Sequence, residues 1–346
     1  MTLKSLTLVA DASETRFSYT DSGIPPQSSS YTTIIAIHGM GFTSAIFKRV
    51  QALSGQQNVR FVAVNRRGYG GSTPVLESES AILFSGTDDE KASYLNARGL
   101  EFAKFIDAFI QQHNPLPISH DGKSGGIALL GWSAGNGLAT AAIANVDQLP
   151  EGAQKRLGAY IRAYIMQEPP SIAFGLPLPP QLWSPHMDTT IPVELQTPFY
   201  TRWITSYFDH RDITSRDPST LSHILPSARR APTIYSMSSE DIAEMVDEGP
   251  QEMPVMFTTM AQANGIYTKA CFDTEIRRML PKMKVSLLCG DATCSYSITG
   301  MWSIEDDDKK NGGGFVHVKS IPGANHFMHW DEPEVSLTAY MEASVV

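Results

Sequence analysis

Cysteine is scarce in this chain. Cys271, Cys289 and Cys294 are the only three among 346 residues, an odd number that cannot form a closed disulfide framework. No N-x-S/T sequon occurs either, so the expected setting is a reducing, cytosolic compartment. No apolar run approaches the roughly 18–20 residues that cross a bilayer, which argues against stable membrane insertion. The opening MTLKSLTLVADASETRF lacks a long apolar core and reads as strand rather than signal peptide. Excess basic charge is also missing. Lys and Arg total 27 against 36 acidic residues, for a net charge of -9, which excludes nucleic acid and an anionic membrane surface as main partners. The same balance gives no sign of an anionic substrate. What remains is 42% hydrophobic and 18% charged, ample material for a sizeable core in one large or two small domains.

Short apolar runs alternate with helical patterns over the first 170 residues, which implies a mostly parallel sheet covered by helices. KSLTLVADASETRFSYTDSG reads as an antiparallel hairpin. TTIIAIHG and RFVAVNRRGYGGS read as buried strands, the second ending in a glycine-rich loop. Phe102, Phe105, Ile106, Phe109 and Ile110 fall on one face of a long helix. GIALLGWSAGNGLATAAIANV gives a strand, a sharp turn and an alanine-rich helix, and AYIRAYIMQEPP gives the next strand. After Pro170 the pattern changes to clustered prolines, aromatics (Trp183, Phe199, Tyr200, Trp203, Tyr207, Phe208) and methionines, so residues 171–280 are expected to form a mainly helical insertion. Strand pattern returns in MKVSLLCGD and GFVHVKSIPGANH, and IEDDDKKNGGG between them reads as a solvated surface loop.

The strongest chemical signal is Gly131-Trp132-Ser133-Ala134-Gly135, a G-x-S-x-G run that follows an apolar strand and opens a helix. A serine on such a tight turn sits in strained backbone, so small neighbours are needed two residues away on each side. Serine is also a good helix N-cap, but this context favours a nucleophile. His38-Gly39-Met40-Gly41 ends an earlier strand where an oxyanion needs a backbone donor; the amides of Met40 and Ala134 are the expected pair. GMGFTS also resembles the start of a dinucleotide-binding turn, but Ser44 stands at the third glycine position and the next strand ends at Asn65, not at an acid. GKS at 122–124 lacks the first glycine of a phosphate loop, with Pro117 in its place. His326 in GANHF follows the last apolar strand and is the expected general base, with His329 in reserve. The two histidines have no third ligand at sensible spacing, so no metal or organic cofactor is implied.

HGMG, NRRGYGGS, GWSAG and GANHF, in this order, resemble the α/β-hydrolase superfamily, and EPPSIAFGLP is similar to its fungal members. The resemblance implies a mostly parallel sheet of about eight strands flanked by helices, with residues 1–170 and 281–346 as core and 171–280 as a lid after the sixth strand. It also implies a nucleophile–acid–histidine order, with Ser133 and His326 in two of the roles. The acid departs from the commonest pattern. Its usual position after the seventh strand is Thr293, which carries no charge. Asp291 lies two residues before it, and Glu168 follows the sixth strand, a position some members use. Glu168 is favoured because either strand end can deliver a carboxylate to an imidazole N–H and glutamate reaches farther.

The resulting expectation is a serine hydrolase that cleaves an ester, lactone or thioester of a small apolar molecule through an acyl-enzyme, the aromatic and methionine-rich lid suiting such a partner. Acyl transfer to an alcohol, cofactor-free lyase or perhydrolase chemistry, and ligand binding with little turnover stand as alternatives.

Overall fold

Apolar runs become strands buried on both faces, as parallel strands covered by helices must be. In the computed structural model, which describes residues 3–26, 28–247 and 252–345, β1 (Leu6–Val9) and β2 (Arg16–Asp21) form the expected antiparallel hairpin. They are followed by β3 (Thr32–Ile37), β4 (Val59–Val64), β5 (Ile127–Trp132), β6 (Ile161–Gln167), β7 (Lys284–Gly290) and β8 (Val316–Ile321). The eight strands lie in the order β1-β2-β4-β3-β5-β6-β7-β8. β2 meets β4 antiparallel, and every pairing from β4 to β8 is parallel.

Successive side chains of each strand feed opposite faces of the sheet. Ile35 and Ile37 join the core on one side with Phe102, Phe105, Ile106, Phe109 and Ile110, the expected face of the helix Asp88–His113. Ile34 and Ala36 join the other side with Phe47, Val50, Trp330 and Leu337. Two charged residues of the central strands are buried: Arg60 of β4, paired with Asp21 of β2, and Arg162 of β6. Arg162 of β6 is 3% exposed, and its guanidinium donates to the carbonyls of Ser344, Gly125 and Gly122 and to Thr32 Oγ1; a buried cation is tolerable when its donors are used in this way.

Between β6 and β7 the chain forms the helices Val193–Ile204, Ser239–Met245, Glu252–Thr258, Met260–Phe272 and Thr274–Met279, joined by short 3₁₀ turns and loops. Tyr200, Trp203, Ile204, Met237 and Met245 pack with the side of the sheet that carries Trp132. Tyr267, Ala270, Cys271 and Ile276 instead enter the core beneath the opposite face. The acidic stretch expected to be a surface loop is one only over its last four residues, 311–314, which form an exposed turn. The helix Ser295–Lys310 runs through the rest, and the Asp308 carboxylate accepts the N–H groups of Gly314, Phe315 and Val316 at 2.8–3.0 Å, so its charge fixes the entry to β8. Among the described residues no helix is long and apolar enough to cross a membrane.

Strand register sets the site. The last rungs pair Ile37 with Gly131, Trp132 with Gln167, Gln167 with Leu288 and Gly290 with Ile321. His38, Ser133, Glu168 and the loops after β7 and β8 therefore emerge along one carboxyl edge, where parallel sheets bind their ligands.

Candidate active site

Ser133 is the first residue beyond β5 and has φ 52°, a left-handed conformation that is costly for a residue with a side chain. The turn is over-determined by its neighbours. Ser133 N–H donates to the Gln167 carbonyl at 2.9 Å, and the Asn136 amide donates to the carbonyls of both Ser133 and Gln167. Gly135 is obligatory because a Cβ there would lie 2.4 Å from the Ile37 carbonyl oxygen. Ser133 is 8% exposed: its hydroxyl faces a cavity rather than open solvent. That cavity of about 30 Å³ is lined by Met40, Ser133, Ala134, Cys294 and His326 from the core, together with Ile172, Tyr200, Trp203, Ile204 and Met256 from the segment between β6 and β7.

Glu168 mirrors the serine. It follows β6 with φ 53° and is fully buried. Its Oε1 accepts the Gly290 N–H at 2.6 Å, and its Oε2 accepts the Thr293 hydroxyl at 2.5 Å. Oε2 also lies 3.3 Å from His326 Nδ1. Thr293, which stands where the commonest pattern puts the acid, thus serves as a donor to the glutamate. Asp291 is placed elsewhere. Its Oδ1 accepts the Gly323 N–H at 2.6 Å, a contact that braces the loop leading to His326.

The His326 ring is positioned on several sides. The Ser297 hydroxyl donates to the Glu168 carbonyl and sits 3.3 Å from His326 Nδ1, so the Nδ1–H points at two oxygens. The indole N–H of Trp132, from the serine turn itself, donates to the His326 carbonyl at 2.9 Å. Burial opposes charge on this imidazole, but the adjacent Cys294 sulfur and the Glu168 carboxylate outweigh it and raise its pKa above the ordinary value. His329 is not on the cavity wall. Its Nδ1 accepts from the Gln167 side-chain amide at 2.9 Å, its ring packs among Trp132, Phe47 and Phe327, and burial followed by the nearby His326 hold it well below the usual range.

The His-Gly run organises a backbone donor. The Gly39 carbonyl accepts from Arg66 Nη2 at 2.8 Å and from His38 Nδ1 at 2.8 Å, while His38 Nε2 accepts the Arg66 N–H at 3.0 Å. Burial and the Arg66 charge keep His38 neutral, which fits one donating and one accepting nitrogen. Because a trans peptide carries its C=O and N–H on opposite sides, pinning the Gly39 oxygen fixes the Met40 N–H. Neither the Met40 nor the Ala134 amide has an acceptor among the described residues. Gly39 also leaves room for the serine, since a Cβ there would stand 2.8 Å from Ser133 Cβ.

The structure therefore brings together Ser133, His326, Glu168, Met40 and Ala134, and leaves Asp291 and His329 outside. Sequence reasoning missed Trp132, Ser297 and Cys294; of these only the tryptophan had a visible signal, its place inside the G-x-S-x-G run. Among the described residues no group of three His, Cys, Asp or Glu side chains is placed to hold a metal ion.

A parallel sheet whose carboxyl edge carries a strained serine, a histidine and two amides without acceptors defines a class of catalytic scaffold. Over residues 34–337 the chain matches the alpha/beta hydrolase family, and it belongs to that family of hydrolases. No curated protein matches it in sequence. Among solved structures it is similar to a bromoperoxidase from Bacillus anthracis (13% identity, 98% of this chain and 100% of that one, TM-score 0.51). It is also similar to an epoxide hydrolase from Vigna radiata (14% identity, 98% and 97%, TM-score 0.53) and to the thioesterase domain from the curacin biosynthetic pathway (17% identity, 99% and 100%, TM-score 0.50). At these identities the likeness is one of fold.

Proposed function

We propose that this chain is a serine hydrolase that cleaves a carboxylic ester, lactone or thioester through an acyl-enzyme on Ser133. The observation that carries the reading is that Ser133, His326, Met40 and Ala134 line one cavity while the other ring nitrogen of His326 faces Glu168. In this reading His326 Nε2 takes the Ser133 proton as Oγ bonds to the substrate carbonyl carbon. The Met40 and Ala134 amides hold the tetrahedral oxyanion. Glu168 keeps the proton on Nδ1 and stabilises the imidazolium. Collapse breaks the bond to the leaving group, which receives the proton from Nε2. Water, deprotonated by the same histidine, then attacks the acyl-enzyme and releases the acid.

The segment between β6 and β7 serves as the lid, contributing an apolar roof through Ile172, Tyr200, Trp203 and Met256, and the partner is a small, largely apolar ester-like molecule. Three free, buried thiols suit a reducing, cytosolic setting. A fluorophosphonate probe tests the chemistry: rapid labelling that Ser133→Ala abolishes is expected. Labelling that survives this substitution, or none in the wild type, overturns the assignment.

A further inference from the structure

Two residues on either side of His326 reach out of its loop to the segment between β6 and β7. Asn325, the residue before it, is fully buried. Its Oδ1 accepts the Phe327 N–H at 2.8 Å. The Nδ2 end therefore points outward, donating to the Thr205 carbonyl at 3.1 Å and to Thr233 Oγ1 at 2.8 Å. Asp331, farther along the chain, is an acceptor: its Oδ2 takes the hydroxyls of Thr233 and Tyr207, each at 2.5 Å. The Thr233 hydroxyl thus accepts from one flank of His326 and spends its single hydrogen on the other.

Thr233 is also joined to the roof of the cavity. Its N–H donates to the Thr205 carbonyl at 2.8 Å, and Thr205 ends the helix Val193–Ile204, whose Tyr200, Trp203 and Ile204 line the cavity with Ser133 and His326. The Thr205 hydroxyl donates back to the Thr201 and Arg202 carbonyls, which ties this corner to the helix end. Two neighbouring bonds run the same way. Arg230 Nη1 donates to the Gly323 carbonyl at 2.8 Å, and the Trp330 indole N–H to Ser236 Oγ at 3.3 Å. Thr233 is buried, so water does not compete for its partners. Beside the cavity lies a chamber of about 660 Å³ that shares Ala134, Ile172 and Met256 with it, the size of a small-molecule site. Thr205, Thr233, Asn325 and Asp331 do not line it, so their bonds serve the geometry of the reacting groups rather than the fit of a substrate body.

We propose that Thr233 is a positioning residue for the reaction: its hydroxyl holds the loop that carries His326 and the apolar roof over Ser133 together as one rigid wall. The inference rests on the reading of His326 as the base and extends it to the segment that roofs the site. A buried network of this kind fixes one geometry when every member is satisfied, and this part of the roof is fastened to the base rather than hinged above it.

Thr233→Val removes the hydroxyl and keeps the branched shape, while Thr233→Ser keeps the hydroxyl. In the valine variant each flank retains one bond, Asn325 to Thr205 and Asp331 to Tyr207, so the chain still folds. Its kcat on a p-nitrophenyl ester is expected to fall about tenfold or more, with KM changed less than about twofold, because misplaced reacting groups slow the chemistry. The pH inflection of kcat/KM should move toward the ordinary histidine value as the loop loosens from Glu168. The serine variant is expected to restore both. A lower melting temperature with kcat and the inflection unchanged overturns the proposal, and so does a serine variant as impaired as the valine one. Hydrogen exchange reads the same tie without turnover. The backbone amides of residues 323–331 are expected to exchange about tenfold faster in Thr233→Val than in the wild type or Thr233→Ser, as for one hydrogen bond lost from a local opening. Equal exchange overturns the proposal. Absence of fluorophosphonate labelling in the wild type removes the serine-hydrolase reading instead, and the exchange measurement still decides whether Thr233 holds the loop.

Discussion

The indole N–H of Trp132 donates to the carbonyl oxygen of His326 at 2.9 Å, although 194 residues separate them. The bond joins the residue immediately before the candidate nucleophile to the backbone of the candidate base. Any movement of the histidine loop is therefore transmitted to the serine turn, and the separation of Ser133 from His326 is held by a contact that neither side chain makes. Ring packing adds to it, with Trp132 in contact with His326, Phe327 and His329.

Trp132→Phe keeps most of the ring and deletes the donor. A buried carbonyl without its partner costs about 1–3 kcal/mol, so denaturant unfolding should show a loss of that size. kcat should fall about tenfold or more with KM little changed, because geometry of the reacting groups, not substrate binding, is altered. Full activity at reduced stability would show that the bond is structural alone.

Glu168 and Asp291 are separable by substitution. Glu168→Gln removes the charge facing His326 Nδ1 and disturbs the carboxylate that also accepts from Gly290 and Thr293. Acylation is expected to slow by roughly 10²–10⁴-fold. Asp291→Asn loses only a loop brace to Gly323 and should cost less than about tenfold. Pre-steady-state release of p-nitrophenol gives both rates, and the opposite ranking sinks the assignment of the acid.

The pH profile follows from the raised pKa of His326. A general base works as neutral imidazole, and a raised folded-state value keeps the ring charged to higher pH. Thus kcat/KM should climb through an inflection above the ordinary histidine value of about 6.5, and the inflection should move down in Glu168→Gln. The same shift contributes stability that is fully present below the unfolded-state value and fades as pH rises through the folded one. An inflection below the ordinary value contradicts the geometry.

Gly39→Ala tests the crowding around the candidate nucleophile. The backbone at Gly39 does not require glycine, since its φ is not positive, but the new methyl would meet Ser133 Cβ at 2.8 Å. Activity is expected to drop about 100-fold or more, in line with loss of an oxyanion donor or of serine alignment, with circular dichroism unchanged. Wild-type rates would show that the turn has slack that the packing does not suggest.

Much of this was legible before any coordinates. The serine turn announces itself because its steric demands fall on adjacent residues, and the histidine because it ends the last apolar run. The buried strands follow from short apolar runs bounded by turn residues, and the face of the long helix from its period. The acidic stretch before β8 was misread, since a helix rich in charge looks like a loop until the partners of Asp308 are known. Asp291 and Glu168 were likewise indistinguishable in kind; each is a carboxylate beyond a strand end.

The sequence by itself determined the strands, their order along the chain and the residue types at the carboxyl edge, because local sterics and hydrophobic pattern act between near neighbours. Only the tertiary structure decided which carboxylate meets the imidazole. The register of β5, β6 and β7 places Glu168 beside Ser133 and leaves Asp291 to the Gly323 loop. It also decided that Trp132 ties the two halves of the site and that arginines from the loop after β4 and from the helix Asp88–His113 line one chamber. Contacts of that kind are set by how distant segments pack, and no spacing along the chain encodes them.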